Sequence, residues 1–183
     1  MNNDINTFRE GIFALNTRRF GSVAEIMIKK LYSFEESRTV SYDLFDPDHN
    51  NRIEVKFSRA TKDNSERINE KNVIDQCLYA SNLDNRSMCS DEVDLFSFDS
   101  NIQQVKTHFF DYLFYGLFFM DGIEIFGVSS EDIYSLPGYS DFQHAGNAGE
   151  GQFHLNNNTL DYHRDNCFLQ FLTYEELFNL FLP

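Results

Sequence analysis

Several common features are scarce or missing in this chain, and each lack excludes something. No apolar stretch reaches the length of a membrane span; the longest run, 109–120, is too short and carries Asp111. The opening Met1-Asn2-Asn3-Asp4 lacks the charged and apolar sections of a secretory signal. A cytoplasmic protein with no membrane partner is therefore expected. Cysteine is rare: Cys77, Cys89 and Cys167 are odd in number and far apart, which excludes a disulfide framework and a zinc pattern and predicts reduced thiols. The five histidines are scattered, and His144, His154 and His163 have no spacing that compels a metal site. Internal repeats, low-complexity tracts and Pro/Gly/Ser linkers are absent, so the 183 residues predict a single domain with one sizeable core. Positive charge is also short: 15 basic residues stand against 29 acidic ones, a net −14.

What is present concentrates in 41–60, SYDLFDPDHNNRIEVKFSRA. Segments 40–46 and 52–58 are rich in aromatic and β-branched residues, which suit a pleated surface. Between them Asp-Pro-Asp-His-Asn-Asn is dense in turn formers. A turn centred between Asp48 and His49 pairs Asp46 with Asn51, Leu44 with Ile53 and Asp43 with Glu54. Opposed residues share a face, and Lys56, two beyond Glu54, shares it too. Ile53, Val55 and Phe57 then point the other way, with Tyr42 and Leu44, into a core. A slip of one residue would exchange the two faces.

Two facing carboxylates repel each other, and a magnesium ion removes that cost. Mg²⁺ prefers oxygen ligands and keeps several waters. One such water can attack phosphorus while the ion stabilises the charge that develops. Lys56 can orient the water, lower its pKa or neutralise the phosphate. The competing interpretation is an exposed Glu-x-Lys pair on an ordinary strand, with Asp43 unrelated.

The arrangement Asp43, ten residues, Glu54-x-Lys56 resembles the PD-(D/E)xK nuclease superfamily, particularly its type II restriction endonucleases. Tyr42 stands where the family name has proline. The literal Pro47-Asp48 pair is rejected as the metal site, because Asp48 lies in the turn, only five residues before Glu54. The resemblance implies an α/β (α+β) fold, a restriction-endonuclease-like mixed central sheet flanked by helices. Its element order is a helix, three antiparallel strands, a helix and a further strand. It implies Mg²⁺ on Asp43 and Glu54 with the Val55 carbonyl, and a glutamate from the preceding helix, here Glu25, near the metal. It also implies in-line cleavage of the P–O3′ bond of double-stranded DNA, leaving 5′-phosphate ends.

The flanking segments fit that order. Segment 22–32 has a helical stripe of Val23, Ile26, Met27 and Leu31, with Ser22 as cap and Gly21 as turn. The apolar run 108–120, the Asp121-Gly122 hairpin signal and the strand 123–128 continue the sheet, and Ser129 or Ser130 caps a following helix. Segment 72–80 is a further helix, and 173–182 an amphipathic one with a Thr cap. The core is expected over about 21–136, with a recognition loop and C-terminal helix in 137–183.

The −14 charge repels a polyanion at long range. The basic residues are unevenly spread, however, and Arg18, Arg19, Arg59 and Lys62 flank the hairpin, so a homodimer can present a basic cleft on an acidic body. Lys106 can touch a phosphate. Segment 140–158, glycine-rich and dense in amides, is expected to be the base-reading loop through Gln143, His144, Asn147, Gln152, His154 and Asn156. The expectation is a sequence-specific, Mg²⁺-dependent endonuclease. Two rivals are a repair or junction-cutting nuclease of the same fold and a non-enzymatic acidic DNA mimic or inhibitor.

Overall fold

A computed structural model of the chain describes residues 2–64, 66–143 and 147–183. Two helices come first, α1 (Asn2–Ala14) and α2 (Thr17–Tyr32). An antiparallel meander follows: β1 (Glu35–Glu36), β2 (Leu44–Asp46) and β3 (Asn51–Arg59). Helices α3 (Val73–Ser81) and α4 (Leu83–Arg86) lead to β4 (Asp99–Val105). The chain continues through β5 (Tyr112–Phe118), β6 (Gly122–Ser129), β7 (Ser140–Gln143), β8 (Asn147–Asn156), α5 (Leu160–Asn166), β9 (Phe168–Thr173) and α6 (Tyr174–Phe181).

The expected mixed sheet flanked by helices is present. Its order is β1-β2-β3-β5-β6-β9, with β3 and β5 parallel and the other neighbours antiparallel. A second sheet, β4-β8-β7, covers one face. Strand β5 reads both ways, as period 2 requires. Leu113, Tyr115 and Leu117 join Ile102, Phe153 and Leu155 of the second sheet in one core, whereas Phe114 and Phe118 join α1, α2 and α6 in the other. Gly116 is needed in this strand because a Cβ there would lie 2.0 Å from the Glu124 carbonyl oxygen. Among the described residues no helix is long and apolar enough to cross a membrane.

Several local expectations are corrected. Helix α2 starts before Ser22: the Asn16 side chain accepts from Arg19 N at 3.1 Å and caps it, leaving Gly21 and Ser22 inside. Its buried stripe is Phe20, Ala24, Met27 and Ile28, while Ile26 is 48% exposed. Strand β2 is shorter than 40–46, and Tyr42 packs toward the second-sheet core rather than with Leu44. The helix expected after Ser129 shrinks to a 3₁₀ turn, Ile133–Ser135, closed by Pro137 soon after. Segment 140–158 is the β7–β8 hairpin and the turn after it. The C-terminal helix forms as expected: Thr173 and Glu176 make a reciprocal capping box, worth about 0.5–2 kcal/mol at the Thr cap.

Candidate active site

The β2–β3 register is the one derived from the turn. Leu44 pairs with Ile53 and Asp46 with Asn51. Asn50, at φ 58°, supplies the left-handed residue of the turn. The Asp46 carboxylate holds the turn closed, accepting from Asp48 N at 3.0 Å and meeting His49 Nδ1 at 2.8 Å. Asp48 itself is exposed there.

Asp43 lies one residue outside β2, yet its N–H still donates to Ile53 O at 3.0 Å, so the ladder carries it past β3. Its carboxylate accepts from Val55 N at 2.8 Å, which fixes its direction. Glu54 and Lys56 are the cross-strand neighbours of Leu113 and Tyr115, on the face opposite Val55 and Phe114. The Lys56 ammonium hydrogen-bonds Glu54 Oε1, lies 3.6 Å from Asp43 Oδ2 and 3.4 Å from Val55 O. Three oxygens, two of them carboxylate, therefore converge on one cation. The side chains of Asp43, Glu54 and Lys56 are 24%, 12% and 24% exposed, so the cluster is sheltered but open to solvent.

The electrostatics follow from that packing. Burial pushes the Glu54 carboxyl up; Lys56 opposes the shift, and Asp43 and Glu25 add to it. Burial also raises Glu25, reinforced by Asp43 and opposed by Lys56. Burial would lower Lys56, but Glu54 and Asp43 outweigh it and hold the ammonium charged. The four side chains thus form one electrostatic unit, with Glu25 reaching it from α2.

Among the described residues no three His, Cys, Asp or Glu side chains stand close enough to cage a metal unaided. Magnesium does not require such a cage: one or two carboxylates plus waters are its usual protein ligands. Asp43 and Glu54 with the Val55 carbonyl offer the right donor type, all hard oxygen, already directed at a positive charge. The residues present fit the ion in chemistry.

The other expected site residues divide into free and committed. Arg18 and Arg19 are exposed on the first turn of α2. Arg59 is committed to the fold: its guanidinium donates to Ile12 O at 3.2 Å and Leu15 O at 2.6 Å, capping the end of α1, and lies 4.0 Å from the Phe20 ring centre. Lys62 donates to Asp84 O at 2.9 Å and sits over the Phe96 ring. Lys106 pairs with Glu150 at 2.9 Å.

Gln152, His154 and Asn156 alternate with buried Phe153 and Leu155 on β8, so they share the outward face of the second sheet. There Gln152 accepts from Asn101 at 3.0 Å, and His154 and Asn156 contact the Asp99 carboxylate at 2.8 and 3.2 Å. Gln143 and Asn147 are backbone partners across the β7–β8 pair. His144 lies outside the described residues.

One further cation lies outside the expected set. Arg38 lines a cavity of about 180 Å³ with Glu35, Glu36, Tyr42 and Phe45, directly before Asp43 in the chain. Its signal was available, since it is the only basic residue between Lys30 and Arg52.

Comparison with family models, with curated proteins and with solved structures produced no match to this chain.

Proposed function

We propose that this protein is a Mg²⁺-dependent endonuclease that cleaves double-stranded DNA at chosen sequences, acting in the cytoplasm as a homodimer on a restriction-endonuclease-like fold. The observation that carries this reading is the convergence of Asp43, Glu54 and the Val55 carbonyl on the Lys56 ammonium. The order of elements in the main sheet supports it: helix α2, three antiparallel strands, helices α3 and α4, then, after β4 of the second sheet, β5 parallel to β3. One departure is that α3 buries no residue, so the connection from β3 to β5 is not made by a helix packed on the sheet.

Asp43 and Glu54 would hold the ion through carboxylate oxygens, and Val55 through its carbonyl. When bound, the ion would supply Lewis acidity, polarising the phosphate and lowering the pKa of a coordinated water. Lys56 keeps a proton on Nζ beside the attacked phosphate, offsetting its charge and orienting the water. Glu25, its carboxyl raised by burial, stands ready to accept a hydrogen bond from that water. The water oxygen bonds to phosphorus and gives up a proton to solvent, the P–O3′ bond breaks with its electron pair on O3′, O3′ takes a proton from solvent, and the 5′-phosphate remains on the other fragment. Arg18, Arg19 and Arg38 are exposed cations suited to backbone phosphates, which position the duplex without reading it. Base reading falls to the outward face of the second sheet and the β7–β8 hairpin.

Incubation with unmethylated phage DNA in Mg²⁺ or EDTA tests the reading. Discrete fragments with 5′-phosphates should form only with the metal. Glu54→Ala and Lys56→Ala should bind DNA without cutting it, and Asp48→Ala should cut nearly as well as the parent. Cleavage retained by Glu54→Ala would falsify the assignment. Smeared products, or a preference for branched DNA, would move the protein to a repair or junction-cutting role.

A further inference from the structure

Helix α3 is built inside out. None of its residues is buried, although it is apolar for much of its length. At 100° per residue, Val73, Cys77 and Ser81 form one i, i+4 row, and Ile74 and Leu78 form the row beside it. The polar side of the helix is the one tied to the preceding loop. Gln76 accepts from Asn64 at 2.8 Å and donates to Glu66, and Tyr79 lines the same polar cavity of about 270 Å³. The apolar rows face outward: Ile74 is 71% exposed, Leu78 67% and Val73 40%, with Ile68 at 62% just before the helix. Cys77 in their midst is exposed as a free thiol. A soluble helix ordinarily does the reverse.

We propose that this face of α3 is the two-fold interface at which a second copy of the chain docks, α3 against α3. Charge confines a like partner to a face of this kind. Two chains at −14 repel over most of their surface, and the outward rows carry no charge; the only acidic residue of the helix, Asp75, lies off them. Shape points the same way. A ridge of bulky side chains, Ile74 and Leu78, lies beside a ridge of small ones, Val73, Cys77 and Ser81. In a two-fold contact each bulky ridge meets the small ridge of the other copy, as packing of i±4 ridges into grooves requires.

Area agrees as well. The exposed fractions amount to on the order of 400 Å² of apolar surface, as large as the largest patch on a typical monomer. Counted on both copies, and at the ~65% apolar share of homodimer interfaces, this implies roughly 1,200 Å² in total, the lower limit for a stable interface. The proposal deepens the homodimer of the preceding section, but its readout is mass, so it stands or falls apart from catalysis.

The full-length protein, without DNA or metal, is examined by sedimentation velocity across a wide concentration range. The parent should sediment as a dimer. Leu78→Glu should sediment as a monomer with an unchanged far-ultraviolet circular dichroism spectrum, because the side chain it replaces is mostly solvated within the chain. A short bismaleimide should link two parent chains through Cys77, and Cys77→Ser should abolish the link. A parent that stays monomeric overturns the proposal, as does a dimer that survives Leu78→Glu. Binding of the monomer to neutral phospholipid vesicles, lost in Leu78→Glu, would also overturn it in favour of a lipid surface.

Discussion

His163 lies at the centre of the second-sheet core with no solvent exposure. It packs against the rings of Phe153, Tyr115 and Phe126, and its Nδ1 meets the Tyr115 hydroxyl at 2.8 Å. Burial also raises the Tyr115 phenol, so Tyr115 keeps its proton and donates it, which makes Nδ1 the acceptor. Nε2 then carries the hydrogen and has no partner among the described residues. Protonating such a ring would place an uncompensated charge among aromatic carbons, and burial accordingly pulls its pKa from 6.5 down to about 4. The unfolded chain takes up a proton below pH 6.5 and the folded chain does not. Stability is therefore complete above that value and falls as the pH drops, until about pH 4. At about 1.36 kcal/mol for each tenfold step in proton affinity, the loss amounts to roughly 3 kcal/mol. Urea unfolding of the parent and of His163→Gln from pH 8 to pH 4 measures it. Glutamine keeps an acceptor for Tyr115 and does not titrate, so the difference between the two curves isolates the histidine. The variant should be less stable at pH 8, with most of its deficit gone by pH 4. Parallel curves across that range would refute a neutral, buried His163.

Four further expectations concern the site and its frame. Lys56→Met leaves the Asp43 and Glu54 carboxylates facing each other without their cation and should cost about 1–3 kcal/mol in EDTA, discounted for partial exposure; Mg²⁺ should raise its melting temperature more than the parent's, and equal shifts would argue against a metal seat there. Arg59→Met should lower stability through the lost α1 cap and Phe20 contact while leaving DNA affinity and its salt dependence unchanged. Arg18→Ala and Arg19→Ala should do the opposite, each reducing the salt slope of DNA binding by about 1 at unchanged stability. Gly116→Ala drives a methyl into the Glu124 carbonyl and the Phe57 ring, 2.0 and 2.6 Å from its carbon, and should cost at least ~3 kcal/mol by thermal denaturation.

The hairpin from Asp43 to Arg59 was legible residue by residue because its causes are local. Turn formers and period-2 alternation set one register, and that register alone places Asp43, Glu54 and Lys56 together. The Thr173 cap of α6 and the β5–β6 hairpin were readable for the same reason. Helix α2 starts earlier than the local pattern predicts, because Gly21 and Ser22 have the sequence signature of a boundary, yet Phe20 and Ala24 pack on either side of them and hold the helix through it. Glycines and amides in 140–158 read as a loop, but Phe153 and Leu155 find a core only when β4 comes alongside from more than forty residues away. The same pairing turns Gln152, His154 and Asn156 outward.

By itself, the order of residues determined where acid, base and turn would fall along one hairpin, since neighbours on a pleated strand have no freedom to exchange faces. Only the tertiary structure decided which cations remain free: Arg59 and Lys62 are spent on carbonyls and rings distant in the chain, and Arg18 and Arg19 are not. It also decided that α3 would turn its apolar side to the solvent. Periodicity reveals that a helix has an apolar stripe, but which way the stripe faces depends on contacts made by the rest of the fold.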